Sequence, residues 1–203
     1  MINIHYLPIN QLVSLTHPLA SRAEYQQQQK TQLHAYRQRI LQQICPELEI
    51  VSSPYGKPMA KNAMNLCFNH SHSQAYYALA YSTTVQDVGV DIEDLNRSVK
   101  MQALAKRSFH PDEYQCWQQL DYCREYWFKV WTIKEAVLKA HGLGIRLDLK
   151  SINTQAHPTW CFGRVVHPSL GCFDYQNFLM SNSMLTVAYR ALEMQIVPVH
   201  FIR

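Results

Sequence analysis

Apolar residues recur every three or four positions in two long stretches of the chain. Residues 23–44 and 127–142 both show this spacing, which predicts two long helices. Gly142 is placed where the second helix would end. Between them, a weaker helical pattern in residues 94–120 predicts one or two shorter helices, with Pro111 at a first helical position.

Alternating apolar positions predict strands in most of the remaining chain. The predicted strands lie at Ile2, Ile4 and Tyr6, at the start of residues 65–73, and at residues 75–82 and 88–93. Residues 159–202 predict three or four antiparallel strands, and Pro198 makes the last one an edge strand. Because a helix-then-strands order occurs twice, we predict an N-terminal lobe over residues 1–87 and a C-terminal lobe over residues 88–203.

Composition narrows the class of protein. The 203 residues suit one large domain or two small lobes, and 47% of them are hydrophobic, which is ordinary for a globular chain. No run approaches the roughly 20 apolar residues of a membrane span, and the N-terminus lacks the features of a signal peptide. The six cysteines are scattered, so we expect reduced thiols and a cytoplasmic protein. The net charge of +4 favours an acidic or phosphorylated partner.

Two carboxylates share one face of the strand predicted at residues 88–93. Side chains alternate along a strand, so Asp91 and Glu93 project to one side, while Val90 and Ile92 project to the other. The two carboxylates would lie about 7 Å apart, which is half of a site for a hard cation. The alternative is an acidic edge that faces solvent.

A further carboxylate lies on the helix predicted at residues 127–142. Trp131, Glu135 and Lys139 fall one turn apart and share a face. Taken alone, this spacing is more typical of an exposed ion pair worth a few tenths of a kcal/mol. The acidic strand upstream is what favours a functional interpretation.

Two polar segments precede the acidic strand. Pro54, Gly56 and Pro58 predict a loop from which the side chain of Lys57 projects. Ser71 and His72 follow a short strand, and both can donate hydrogen bonds to anionic oxygens. A zinc site here is disfavoured, because alternation would point the histidine at position 70 and His72 away from Ser71.

Four motifs in order resemble those of the 4′-phosphopantetheinyl transferases. They are GKP at residues 56–58, FNHSHS at 68–73, VGVDIE at 88–93 and WTIKEAVLK at 131–139. The chain length and the Asp-x-Glu pair are closer to the Sfp-type branch than to the short holo-acyl-carrier-protein synthases. The resemblance implies an α+β monomer of two pseudo-symmetric α/β lobes, each with a small, mostly antiparallel sheet packed on a long helix.

The resemblance also implies an activity and a set of site residues. The enzyme would transfer the 4′-phosphopantetheine arm of coenzyme A to a serine of an apo acyl or peptidyl carrier protein, releasing adenosine 3′,5′-bisphosphate. Carriers of fatty-acid, polyketide and nonribosomal peptide biosynthesis all offer such a serine. Mg²⁺ would be held by Asp91, Glu93 and Glu135; coenzyme A would contact Gly56, Lys57, Ser71 and His72; and Lys139 would meet the pyrophosphate. The base would be Glu135 or a metal-bound water beside it.

Some positions fall outside or beside the motifs. The family often has Leu or Ile where His70 stands, so we expect His70 to alter the packing there. Lys134 is expected to support the site, and Glu113 matches an acidic position before the helix. Arg37 and Arg39 are interpreted as solvated helix charges, with contact to a ligand as the alternative. The alternatives to an enzyme are a non-catalytic coenzyme A or carrier-binding module of the same fold and, since the pI is near 8.7, a nucleic-acid binder.

Overall fold

Two four-stranded sheets, a two-stranded hairpin and four α-helices are the main elements of the described parts of the chain. A computed structural model describes residues 1–14, 21–144, 146–191 and 193–202. The helices are α1 (Arg22–Gln42), α2 (Met101–Ser108), α3 (Pro111–Gln119) and α4 (Arg124–His141). The strands are β1 (Ile2–Pro8), β2 (Ile50–Ser52), β3 (Pro58–Ala60), β4 (Cys67–His72), β5 (Tyr76–Ser82), β6 (Gly89–Asp94), β7 (Phe162–His167), β8 (Gly171–Leu179), β9 (Ser183–Arg190) and β10 (Val199–Ile202).

The strand order confirms the predicted α+β class. One sheet has the order β10-β1-β5-β4, the other has the order β6-β9-β8-β7, and β2 and β3 form a separate hairpin. Every strand pair is antiparallel except the pairing of β1 with β10. Among the described elements, no helix is long and apolar enough to cross a membrane.

Apolar residues form three packed clusters between the helices and the sheets. Leu33 and Leu41 of α1 pack with Phe68 and Leu79 of the first sheet. A central cluster joins the two sheets; it contains Ile2, Ile4, Ala78, Val90, Ile92, Leu185 and Val187. The third cluster joins α4 to the other face of the second sheet. The order of layers is therefore helix, sheet, sheet, helix, with β6 between the central cluster and α4.

A glycine allows β6 to lie directly against α4. A Cβ atom on Gly89 would lie 2.2 Å from the carbonyl oxygen of Ala136 and 2.3 Å from the backbone nitrogen of Ala140. Only glycine fits such a close approach of two backbones. The strand residues that share the face of Gly89, Asp91 and Glu93, are therefore held beside α4.

The last strand differs from the prediction. We expected β10 to continue the antiparallel group of residues 159–202, but it pairs in parallel with β1 at the edge of the first sheet. The edge position next to Pro198 is confirmed. Val197, Val199 and Phe201 join the central apolar cluster, so packing between the sheets decides where the segment lies. The lobe boundary between residues 87 and 88 stays a prediction. β10 belongs to the predicted C-terminal lobe by its position in the chain, but it pairs with the first sheet.

The predicted helices have nearly the predicted bounds. α1 covers Arg22–Gln42, and Ser21 caps its N-terminus by accepting a hydrogen bond from the backbone of Glu24. α4 begins three residues before the predicted start at residue 127 and ends at Gly142, whose φ of 87° is left-handed. Residues 15–20 and Leu192, which were part of the predicted N-terminal segment and third strand, lie outside the described residues.

Candidate active site

The acidic face of β6 meets the predicted face of α4. The Nζ of Lys139 lies 2.6 Å from Oδ1 of Asp91. The indole nitrogen of Trp131 donates to Oε1 of Glu93 over 3.2 Å, and Arg97 forms an ion pair with the other oxygen of Glu93. Sequence periodicity alone had placed these groups on separate elements, and tertiary packing brings them together.

Burial and mutual repulsion disfavour the charged forms of Glu93 and Glu135 in this cluster. Burial, followed by the charge of Asp91, raises the pKa of Glu93 to about 7. The same two causes raise the pKa of Glu135 to about 7. Oδ2 of Asp91 and Oε1 of Glu135 are buried and have no hydrogen-bond partner among the described residues. The site therefore has oxygen atoms available for a cation or a proton.

The cluster is not arranged as a completed metal site. Within the described parts of the chain, no group of three or more His, Cys, Asp or Glu side chains is positioned to hold a metal ion. Lys139 instead supplies the positive charge beside Asp91. The predicted metal ligands Asp91, Glu93 and Glu135 thus lie in one electrostatic cluster, and their role as ligands stays a prediction.

Ser71 of β4 connects the first sheet to this cluster. Its hydroxyl donates to Oδ1 of Asp91 over 3.0 Å and accepts a hydrogen bond from Nζ of Lys139 over 2.8 Å. The side chain of His72 lies at the exposed end of the same strand. Both residues line one cavity together with Asp91, Glu93 and Lys139. Glu135 is not among the residues that line it.

The cavity lined by Ser71 and Asp91 has a volume of about 1030 Å³. The sequence did not predict its second wall. That wall comes from the first turns of α1 and from the segment after β6; it includes Arg22, Tyr25, Gln26, Gln29 and Arg97. These α1 residues have a mixed polar pattern with no motif, so nothing in their order indicated a cavity. Their contribution depends on how α1 packs across the sheet.

The predicted Gly56–Lys57 loop lines a smaller cavity of about 210 Å³. Gly56 has a left-handed φ of 85°, and Lys57 donates to the carbonyl oxygen of Ala140 near the end of α4. The Nζ of Lys57 is also 3.9 Å from Oδ1 of Asp87. Lys57 therefore stabilises the C-terminus of α4, and its predicted contact with coenzyme A stays a prediction.

Lys134 of α4 faces α3 and the segment after α4, away from the acidic cluster's partners on β6. Its ammonium lies 2.7 Å from Oε2 of Glu113, and both side chains are almost fully buried. Lys134 also donates to the carbonyl oxygens of Leu149 and Ile152, while Oε1 of Glu113 accepts two hydrogen bonds from Thr154. This satisfied ion pair ties α3, α4 and the segment after α4 together, which fixes the face that α4 presents to β6.

The expectation that Arg37 is a solvated helix charge is wrong. Arg37 is 8% exposed, and its guanidinium donates to Nε2 of His70 over 3.0 Å. A signal for this was present in the sequence, because Arg37 lies four residues from both Leu33 and Leu41 on the apolar face of α1. His70 accepts this hydrogen bond, and its expected effect on the packing, compared with Leu or Ile at this position, stays a prediction.

Comparison with known proteins shows which family residues 87–177 are similar to. Residues 87–177 match the model of the 4′-phosphopantetheinyl transferase superfamily. This region contains the acidic strand, α4 and the buried Glu113–Lys134 pair. The resemblance predicted from the motifs is therefore confirmed, and residues 87–177 carry the features of that superfamily.

Individual relatives match about half of the chain. The chain is 38% identical over 109 residues to the 4′-phosphopantetheinyl transferase HetI of Nostoc, which is 51% of this chain and 45% of HetI. It is 29% identical over 113 residues to Sfp of Bacillus subtilis, 55% of this chain and 49% of Sfp. It is 33% identical over 125 residues to AcpT of Escherichia coli, 56% of this chain and 58% of AcpT. The chain thus spans about half the length of the curated relatives it matches.

Proposed function

We propose that the protein is a Mg²⁺-dependent 4′-phosphopantetheinyl transferase. It would transfer the 4′-phosphopantetheine arm of coenzyme A to a serine of an apo acyl or peptidyl carrier protein and release adenosine 3′,5′-bisphosphate. The observation that carries the proposal is the packing of Asp91 and Glu93 of β6 against Glu135 and Lys139 of α4. This cluster lies inside the region that matches the superfamily.

The chemistry of the donor set fits a hard cation. Asp91, Glu93 and Glu135 offer only carboxylate oxygens, which are the ligands Mg²⁺ prefers. Oδ2 of Asp91 and Oε1 of Glu135 are buried without a partner among the described residues, and a cation would bind such oxygens. A cation would also lower the raised pKa values of Glu93 and Glu135, because it favours the charged carboxylates. When bound, Mg²⁺ would supply charge neutralisation at the pyrophosphate of coenzyme A.

Proton removal falls to Glu135 in this proposal. The oxygen of the carrier serine attacks the phosphorus that bears the pantetheine arm, and the bond from that phosphorus to the oxygen bridging it to the adenosine-bearing phosphate breaks. The serine proton has to leave, since a hydroxyl is a weak nucleophile. Glu135 is the carboxylate proposed for this step, and a water bound beside it is the alternative acceptor.

Lys139 is suited to the departing phosphate. An ammonium has three donors, and among the described residues Lys139 donates to Asp91 and Ser71. One donor remains for a phosphate oxygen that reaches the cavity. Developing negative charge on the leaving group is stabilised by such a pre-positioned donor.

Coenzyme A is proposed to span the two cavities. Gly56 and Lys57 line the smaller one, while Ser71 and His72 line the larger one, and Lys139 lines both. These residues are the proposed contacts of the co-substrate. Lys57 would contact it in addition to, or in exchange for, its hydrogen bond to Ala140.

The proposed protein partner is an acidic carrier, and the net charge of +4 would steer it toward this chain. We propose that the enzyme acts as a monomer in the cytoplasm. An apo carrier protein incubated with coenzyme A and Mg²⁺ should gain the mass of one phosphopantetheine group on its serine, and adenosine 3′,5′-bisphosphate should appear in equal amount. EDTA should stop both. Coenzyme A binding with no product on any carrier would instead support a non-catalytic binding module.

A further inference from the structure

Arg37 carries a positive charge into the interior without a carboxylate beside it. The residue is 8% exposed, and no ion pair involving Arg37 occurs among the described residues. Its contacts are a hydrogen bond to Nε2 of His70 and the ring of Phe68, whose centroid is 5.9 Å from Cζ. Buried charges in proteins are ordinarily paired, so this one calls for an explanation.

The hydrogen bond fixes the tautomer of His70. A guanidinium can only donate, so Nε2 of His70 must be the acceptor, and a neutral ring then carries its hydrogen on Nδ1. Burial, followed by the charge of Arg37, lowers the pKa of His70 to about 3, so the ring is neutral at physiological pH. The ring of His34 contacts it edge-on at a centroid distance of 5.8 Å and restricts its orientation.

His70 lies at the junction of the two cavities. It lines the cavity of Ser71 and Asp91 and also the cavity of Gly56 and Lys57. Lys139 is the other residue, among those that the structure describes, that lines both cavities. A ligand that extends from the Gly56 loop to the acidic cluster therefore has to pass His70.

Three polar atoms near the guanidinium of Arg37 have no hydrogen-bond partner among the described residues. Nε of Arg37, Nδ1 of His70 and the hydroxyl of Tyr77 are buried and have no partner among the residues that the structure describes. The first two are donors in the tautomer assigned above, and both are buried, so they act on a ligand through charge and ring orientation and not through direct hydrogen bonds. With no carboxylate nearby, this group creates a positive potential behind the wall of the cavity, which favours an anionic ligand.

We propose that His70 is a specificity-determining contact for the anionic co-substrate at this junction, and that Arg37 is its positioning residue. Arg37 holds the ring in one tautomer and adds a positive charge that the bound ligand compensates. The inference deepens the proposed function, since it takes coenzyme A as the ligand. It adds His70 to the contacts that the motifs imply, and Arg37 as the residue that positions it.

The tautomer is tested without any ligand. A long-range ¹H–¹⁵N spectrum of the full chain should show His70 with hydrogen on Nδ1, neutral from pH 5 to pH 8. In Arg37→Met, which keeps the length of the apolar stem, this tautomer should no longer be enforced. Hydrogen on Nε2 in the wild type would overturn the positioning role of Arg37.

Binding tests the specificity role. Calorimetry with coenzyme A should give a Kd about tenfold higher for Arg37→Met than for the wild type. Arg39→Met removes the same charge from an exposed position of α1 and should change Kd less than twofold. Uncharged pantetheine should bind both variants like the wild type. In the transfer assay, Arg37→Met should raise the KM for coenzyme A and leave kcat within twofold, and Arg37→Lys should recover part of the loss.

The outcomes separate the two proposals. Wild-type transfer with equal Kd values for Arg37→Met and Arg39→Met would overturn this inference and leave the proposed function standing. A wild-type chain that does not bind coenzyme A would overturn both. If the effect of Arg37→Met is the same in a His70→Leu background, Arg37 does not act through His70, and its positioning role is wrong.

Discussion

The ammonium of Lys139 and Oδ1 of Asp91 are 2.6 Å apart, which joins α4 to β6 at the candidate site. The Asp91 side chain is 6% exposed and that of Lys139 is 30% exposed, so the pair is largely shielded from water. Lys139 neutralises one carboxylate of the cluster, whereas Glu135 keeps an unpartnered buried oxygen. The two helix residues that share a face therefore have opposite effects on the stability of the site.

Replacing Lys139 by alanine should damage both activity and stability. Turnover should fall by about 100-fold or more, because a pre-positioned donor to the leaving phosphate is lost. The free energy of unfolding should fall by about 1–3 kcal/mol, because Asp91 would stay buried without its ion pair. Turnover and urea unfolding measure the two effects. Lys150→Ala, an exposed lysine of the same half, should leave both values unchanged.

Glu135→Gln should separate activity from stability. Transfer should be abolished, since the neutral amide cannot accept the serine proton and offers no negative charge to a cation. The melting temperature without metal should stay equal or rise, because a buried carboxylate repelled by Asp91 is removed. Asp91→Asn should also abolish transfer, but it should lower the melting temperature because Lys139 loses its partner. Wild-type turnover of either variant at saturating Mg²⁺ would show that the metal assignment is wrong.

The stability of the metal-free protein should depend on pH through Glu93 and Glu135. Both have folded-state pKa values of about 7, raised from 4.5. Between these values the folded state binds more protons than the unfolded state, so the free energy of unfolding falls as pH rises from about 4.5 to about 7. The loss should be on the order of 3 kcal/mol for each of the two groups.

Urea unfolding in EDTA at pH 5, 6, 7 and 8 measures this loss. Glu135→Gln should show a smaller decrease than the wild type over the same interval, because one of the two groups no longer titrates. Mg²⁺ added at pH 8 should recover stability in the wild type more than in the variant. A wild-type curve that is flat from pH 5 to pH 8 would contradict the electrostatic coupling.

Lys57→Met should destabilise the end of α4. The side chain of Lys57 is 13% exposed and donates to the carbonyl oxygen of Ala140, so its loss removes a charge-assisted cap at a helix C-terminus. The free energy of unfolding should fall by about 1–2 kcal/mol. Lys61→Met is the control, because that lysine is 62% exposed in a surface pair with Glu49. Equal stability of the two variants would mean that Lys57 does not support α4.

The KM of Lys57→Met distinguishes the two roles of this residue. If Lys57 also contacts coenzyme A, the KM for coenzyme A should rise together with the loss of stability. A loss of stability with an unchanged KM would leave Lys57 as a structural residue and remove it from the predicted contacts.

Local periodicity was sufficient to predict the main elements and the acidic face. The two-residue period of β6 placed Asp91 and Glu93 together, and the 3.6-residue period of α4 placed Glu135 and Lys139 together. These features depend on backbone geometry within one element, so the sequence determines them directly. The resemblance to the family then implied that the two faces would meet.

Tertiary packing alone decided the features that join distant segments. β10 pairs with β1 because the apolar residues around it complete the layer between the sheets, and no local pattern encodes that partner. Arg37 is buried because α1 packs over His70, although its charge is typical of a surface position. The sequence by itself determined which residues share a face. Only the tertiary structure decided that Lys139 faces Asp91 and that Arg37 faces His70, because burial and pairing depend on which surface each element covers.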